Sequence, residues 1–136
     1  MAERPGIWGM RGLTVLALLA IAGGLWVSGG PMQGRAERRD QMRSADLSAL
    51  TAQAECRGTE AGAATADLGP TALCPETPRL ADPATGAPYR ITVLDRNNLR
   101  LCADFELPAD KRLLAHEWQP GIDADGCIVY RLNRPF

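Results

Sequence analysis

An uncharged run of 23 residues between Arg11 and Arg35 constrains this chain more than any other feature. Its core is the apolar stretch LTVLALLAIAGGLWV at residues 13–27. A helix of about 20 apolar residues crosses a hydrocarbon layer of about 30 Å. Trp8 and Trp26 lie near the two ends of the run, where amphipathic rings favour the membrane–water boundary. The run predicts a transmembrane helix over residues 12–30, after an N-terminal flank at residues 1–11.

A cleaved signal peptide is the alternative interpretation of this run. Arg4 and Arg11 would form its basic flank, and Ala20-Ile21-Ala22 would supply a small-residue cleavage site. Apolar sequence continues beyond that site as far as Val27, which favours an uncleaved anchor.

Small residues recur every four positions in the run, at Ala20, Gly24 and Ser28. On a helix they share one face, and small faces let a second helix approach closely in lipid. We therefore expect this stripe to pack against the transmembrane helix of a partner protein.

Flanking charges and cysteines give opposite indications of topology. Two arginines precede the apolar run, and a cluster of four follows it: Arg35, Arg38, Arg39 and Arg43. Basic residues favour the cytoplasmic side, so this count places the C-terminal part in the cytoplasm. The four cysteines all follow the run, and an even set in a small domain is typical of an oxidising compartment. We weight the cysteines more, and expect a single-pass protein of the bacterial inner membrane with a periplasmic C-terminal domain.

Four cysteines allow three disulfide pairings. We favour Cys56–Cys74, which would tie a helix end to the following loop, and Cys102–Cys127, which would join two strands. A structural zinc site usually contains close C-x₂-C pairs, whereas the gaps here are 18, 28 and 25 residues. Free thiols are the remaining alternative, if the domain is cytoplasmic.

Residues 31–56 predict a juxtamembrane helix. Residues 33–56 contain no proline, and Leu47, Leu50 and Ala54 recur at helical spacing. The first turns are rich in charge, so we expect them to be solvated and the far half to pack on the domain. Residues 57–136 then form a small disulfide-bonded α+β domain, which opens with a loop rich in Gly, Pro, Ala and Thr as far as residue 88.

Three strands are predicted in that domain, at residues 89–94, 99–105 and 126–133. In the second, apolar residues alternate with Arg100, Cys102 and Asp104. A short turn containing Asn97 joins the first two strands, and residues 108–121 hold a short helical stretch. The sum is an α+β fold, in which the membrane helix continues into a second helix that covers the apolar face of a small antiparallel sheet.

Several motifs resemble a family of uncharacterised bacterial single-pass membrane proteins. They are DPATGAPY at residues 82–89, LCADFE at residues 101–106, and the late residues His116 and Gly126-Cys127. The family shares an N-terminal span, a DP-x-TG-x-PY turn, an LCA-x-F strand and an H…G-x-x-C-like ending, from which this chain departs because Gly126 abuts Cys127. The resemblance spans about residues 70–130. It implies an anchored extracytoplasmic domain with two strands that share a disulfide, and it implies no chemistry.

The order of elements is also similar to that of pseudopilins of secretion systems, which run from a membrane helix into a second helix and a sheet, with a DP-x-G-x-PY-like turn. A pseudopilin carries a prepilin-peptidase site and an acidic residue near the start of its apolar run. This chain has neither, since Gly12–Val15 has no Glu behind it. Because of the shared order of elements, a pseudopilin-like structural subunit of an envelope machine is kept as an alternative function, although these two features are missing.

Residues that could carry chemistry are few. His116 is the only histidine, and a periplasmic enzyme or ligand binder using it is a second alternative. Asp123 and Asp125 resemble half of a calcium loop but lack its later ligands, and we interpret them as part of a turn that enters the last strand. Asp104 and Glu106 are expected as ordinary charges on the open face of the sheet.

The leading hypothesis is a non-catalytic accessory or assembly subunit of a larger inner-membrane complex, such as a respiratory one. We predict no catalytic residue, no metal and no cofactor. Fifteen basic and sixteen acidic residues give a net charge of −1, which argues against binding to nucleic acid. The expected partners are the membrane and integral membrane proteins.

Overall fold

The computed structural model describes residues 7–27, 30–115 and 121–133. In chain order, its elements are the helices and strands α1 (Ile7–Val27), α2 (Gly30–Ala61), β1 (Arg90–Val93), β2 (Asn98–Cys102), α3 (Ala109–Ala115) and β3 (Cys127–Arg131). The chain divides into two compact units, residues 1–35 and residues 36–136. The α+β prediction is confirmed, since the long helix α2 packs on a three-stranded antiparallel sheet.

Helix α1 is apolar apart from Arg11 and Thr14, and its residues from 9 to 27 are all exposed. At 1.5 Å per residue, its 21 residues extend about 30 Å. The helix is long and apolar enough to cross a membrane. Trp26 near its C-terminal end is 93% exposed. The Trp8 side chain and residue Ser28 lie outside the described part of the chain.

Helix α2 is longer than the predicted juxtamembrane helix, because it ends at Ala61 rather than residue 56. Its buried positions follow helical spacing, and they include three charged residues, Asp40, Arg43 and Asp46, as well as Leu47, Leu50 and Ala54. The described residues of the first turns are exposed or half-buried as far as Arg39, as expected, but burial begins at Asp40 and so reaches further toward the N-terminus than predicted. Arg43 and Asp40 are almost fully enclosed, because partners of opposite charge cover them.

The sheet has the order β1-β2-β3, with both pairs antiparallel. Ile91, Leu101 and Ile128 lie opposite one another across it, on the face that packs on α2. The apolar half of α2 meets this face to form the core, made of Leu47, Leu50, Ala54, Leu68, Tyr89, Leu99, Leu101, Ala103 and Leu132. One helix thus covers one face of the sheet, as predicted.

The strands occupy the predicted places but are shorter than predicted. In particular, β2 ends at Cys102 rather than at residue 105. In the connection from β1 to β2, the Asp95 carboxylate accepts hydrogen bonds from the backbone N–H groups of Asn97 and Asn98. The predicted helical stretch is α3, and the rest of its range, residues 116–120, lies outside the described residues.

Candidate functional site

A buried arginine organises the polar side of the second unit. Arg43 is only 1% exposed, and its guanidinium contacts carboxylates from three parts of the chain. Its Nη1 lies 2.7 Å from Asp40 Oδ1, its Nε lies 2.8 Å from Asp82 Oδ2, and its Nη2 lies 3.0 Å from Glu106 Oε1. Arg39, one turn earlier on α2, forms a second ion pair with Glu106. We call these five residues the arginine cluster.

Asp40 also binds the backbone that follows β2. Its Oδ1 accepts the N–H of Glu106 and its Oδ2 accepts the N–H of Leu107, each at 2.9 Å. Asp40 is fully buried, so an unpaired carboxylate here would be costly. The three hydrogen bonds satisfy that carboxylate and fix the segment after β2 against α2.

The DPATGAPY motif forms the loop that delivers Asp82 to Arg43. Asp82 Oδ1 accepts the N–H of Ala84, and its Oδ2 accepts the hydroxyl of Thr85. The backbone closes the loop, with the Asp82 N–H donated to the carbonyl of Ala87 and the Gly86 N–H donated to the carbonyl of Asp82. Gly86 has φ +73°, a conformation that glycine adopts without strain. Each of these contacts holds the Asp82 carboxylate toward the helix.

The motif makes a second contact with α2 at its final residue. The buried Tyr89 donates its hydroxyl to Asp46 Oδ2 at 2.7 Å. Arg79, which precedes the motif, donates to Asp46 Oδ1 at 3.0 Å. Asp46 is one helical turn beyond Arg43, so the two residues bind the two ends of the same motif.

The pKa shifts of Glu106, Asp82 and Arg43 all favour the charged forms of these groups. The hydrogen bond from Arg39, assisted by Arg43, lowers the pKa of Glu106 to about 2 against the opposing effect of burial. Burial by itself would raise the pKa of Asp82, but hydrogen bonds from the Ala84 N–H and from Arg43 outweigh it, and the net shift is downward. Burial acts to lower the pKa of Arg43, and its carboxylate partners reverse that effect and raise it.

Such a site is suited to holding the fold together rather than to transferring protons. A general acid or base works best with a pKa near the working pH. Asp82 and Glu106 are shifted away from neutrality, and Arg43 is shifted further above it. The buried carboxylates are occupied by hydrogen bonds from within the chain. The cluster therefore joins three segments, namely α2, the motif loop and the segment after β2.

The structure contains both disulfides in the favoured pairing, Cys56–Cys74 and Cys102–Cys127. The first joins the C-terminal part of α2 to the following loop. The second joins residues that lie directly opposite each other in β2 and β3. All four cysteines are used, so neither zinc ligation nor free thiols describes this state.

The residues singled out from the sequence do not come together in one place. Ala20 and Gly24 are exposed on α1, and Ser28 lies outside the described residues, as does His116. Asp123 forms a turn before β3, since its Oδ1 accepts the Cys127 N–H. Asp125 is exposed in the same turn.

Asp104 and Glu106 have different surroundings. Asp104 is an exposed charge that pairs with Arg90, as expected, but it lies beyond the end of β2 rather than on the open face of the sheet. The same expectation for Glu106 is wrong, because the chain leaves the sheet at Cys102 and turns Glu106 toward the arginines of α2.

The sequence patterns did not lead us to predict that Asp40, Arg43 and Asp46 are buried and bind distant segments of the chain. A signal was present, because residues 40, 43, 47, 50 and 54 follow one helical face. Charged residues that extend an apolar stripe along the same face are candidates for burial with partners.

No family model, no curated protein and no solved structure matches this chain. The resemblance to uncharacterised membrane proteins and to pseudopilins stays a prediction from the motifs.

Proposed function

We propose that the protein is a non-catalytic, single-pass membrane protein with a periplasmic disulfide-bonded domain. Its role is that of an accessory or assembly subunit of a larger inner-membrane complex. The observation that carries this proposal is the complete exposure of α1 from residue 9 to residue 27. An apolar helix of this length needs an apolar surrounding, which lipid and the helices of a partner supply.

The surface of α1 favours a helical partner. Ala20 and Gly24 lie one turn apart, and neither carries a side chain larger than a methyl group. In lipid, close approach of two helices is driven by van der Waals packing across such small positions. Ala22 lies on the opposite side of α1, which provides a matched position for a control.

The compartment is supported by the two disulfides of the second unit. Structural disulfides form and persist in oxidising compartments such as the bacterial periplasm. The arginine cluster supports a non-catalytic role, because its buried groups are committed to internal contacts.

Topology is tested by thiol labelling in spheroplasts with a membrane-impermeant maleimide, with and without prior reduction. We expect labelling only after reduction. Protection from the reagent, with four free thiols after lysis, would place the domain in the cytoplasm and overturn the proposed location.

The partner is tested by crosslinking and purification in mild detergent. We expect Gly24→Leu to lose a specific crosslinked species that Ala22→Leu retains, because only the first substitution fills the small face. A chain that stays monomeric after crosslinking, or equal yields from both variants, would contradict the subunit role.

A pseudopilin-like structural subunit is the second candidate. It is favoured by the packing of a long helix on a three-stranded antiparallel sheet, together with the DPATGAPY loop. This function requires removal of an N-terminal leader and methylation of the new N-terminus. Intact-mass measurement of the protein purified from membranes decides the matter, and an unprocessed N-terminus would remove this candidate.

A further inference from the structure

We propose that the two disulfides have different roles: Cys102–Cys127 is permanent, and Cys56–Cys74 is exchangeable with a protein dithiol of the C-x-x-C class. The inference concerns the second unit alone and does not depend on the partner of α1. It rests on the surroundings of the two bonds and on the contacts that remain when one of them opens.

The Cys56–Cys74 bond lies in the wall of a surface groove. The groove has a volume of about 390 Å³ and lies between α2 and the loop that follows it. Cys56 is half-buried and Cys74 is buried, so Cys56 is the more exposed residue of the two. Apolar and small residues form most of the lining, among them Ala49, Ala52, Pro75 and Pro78.

The Cys102–Cys127 bond is enclosed. Cys102 is 7% exposed and Cys127 is 3% exposed. Both residues belong to the paired ladder of β2 and β3, where Cys102 lies directly opposite Cys127. An attacking thiolate must reach a sulfur before exchange begins. Both residues of this bond are buried, whereas Cys56 of the other bond is half-buried.

The loop that carries Cys74 keeps other attachments to α2. The buried Gln53 donates from Nε2 to the carbonyls of Gly69, at 3.3 Å, and Cys74, at 3.2 Å. Arg57 binds the carbonyl and the carboxylate of Asp67. These contacts hold the two thiols near each other after reduction, so the same bond re-forms on oxidation.

The exchange step balances as a two-electron transfer. The thiolate of the partner dithiol attacks Cys56 Sγ, a mixed disulfide forms, and the electron pair of the broken bond leaves on Cys74 Sγ, which takes a proton from water. The second thiol of the partner then loses its proton and attacks the partner's first sulfur in the mixed disulfide. This attack closes the partner's disulfide and releases Cys56 as a thiolate. The net result is one reduced disulfide here and one oxidised dithiol in the partner.

The test is timed reduction of the full-length protein in mild detergent with a reduced C-x-x-C oxidoreductase, followed by alkylation and peptide mass spectrometry. We expect Cys56 and Cys74 to be alkylated at least about tenfold faster than Cys102 and Cys127. In urea the two rates should converge, because the difference arises from the fold. Equal rates in the folded protein, or earlier opening of Cys102–Cys127, would overturn the proposal.

Docking in the groove is tested with a matched pair of exposed α2 positions. Ala52→Trp fills the groove, whereas Ala45→Trp adds the same bulk outside its lining. We expect only Ala52→Trp to slow reduction by the protein dithiol, with reduction by dithiothreitol less affected. Equal slowing by both variants, or no slowing by either, would contradict access through the groove.

Discussion

Replacement of Arg43 by methionine tests the arginine cluster most directly. Methionine keeps an unbranched apolar side chain but removes the guanidinium that contacts Asp40, Asp82 and Glu106. Asp40 and Asp82 are 0% and 6% exposed, so both carboxylates would stay buried without their cation. Breaking a buried ion pair by removing one partner costs about 3–5 kcal/mol. We expect Arg43→Met to lower the free energy of unfolding by that amount, a large part of the stability of a small domain.

Arg39→Met is the matched control. Arg39 precedes Arg43 by one helical turn, and its side chain is 35% exposed, as is that of its partner Glu106. Solvent screens such a pair, and its removal costs at most about 1 kcal/mol. The two variants delete the same functional group from one face of one helix and differ in burial. If burial controls the energy, Arg43→Met is several times more destabilising than Arg39→Met.

The pH dependence separates this explanation from simple loss of packing. The pKa values of Asp82 and Glu106 are lowered in the folded protein, Glu106 to about 2. The stabilising effect of each is complete above the unfolded pKa of about 4 and is lost as the pH falls through its folded pKa, which is about 2 for Glu106. In Arg43→Met the buried Asp82 loses its cation and its pKa rises, so protonation relieves the variant as the pH falls. The difference in stability between the two proteins therefore shrinks from pH 7 to pH 3.

Urea unfolding followed by circular dichroism, on the full chain in mild detergent, gives the free energies. Hydrogen exchange at the amides of Glu106 and Leu107 gives a local readout, because both donate to Asp40. Equal destabilisation by the two arginine variants, or a difference that does not change between pH 7 and pH 3, would refute the reasoning. A third variant, Arg43→Met with Asp82→Asn, should recover part of the loss, since it removes one of the uncompensated charges.

Three further substitutions test contacts elsewhere, each by its urea midpoint. Tyr89→Phe removes a buried hydrogen bond to Asp46 and should cost about 2 kcal/mol; a neutral result would show that Arg79 alone satisfies this carboxylate. Gly126→Ala should cost more than about 2 kcal/mol, because Gly126 has φ +76° and a Cβ there would lie 2.5 Å from the Ala103 carbonyl oxygen. Leu50→Ala empties a fully buried core position on α2 and should cost about 2–5 kcal/mol; a cost under 1 kcal/mol would contradict the packing of α2 on the sheet.

The elements of this fold that could be predicted depend on local patterns in the sequence. The apolar run, the helical spacing of Leu47, Leu50 and Ala54, and the alternation around Leu101 each depend on neighbouring residues, so they predict α1, α2 and β2 without knowledge of the fold. The disulfide pairing followed from these elements, because two cysteines fall in neighbouring strands and the other two at a helix end and the loop after it.

The arginine cluster was not predictable in the same way, because its contacts join distant segments. Arg43 and Asp82 are 39 residues apart, and Asp40 is 66 residues from the Glu106 amide that it binds. In sequence, the alternating charges of residues 35–43 are typical of a solvated helix face. That face is buried only because the motif loop and the segment after β2 pack on it.

The two motifs that suggest a family therefore have a structural explanation. Asp82 and Tyr89 from the first motif and Glu106 from the second all bind α2, at Arg43 and at Asp46 one turn later. In this chain the two motifs thus attach the sheet to α2. Contacts with partner proteins are expected instead on the exposed surfaces, which here are the small face of α1 and the groove beside Cys56.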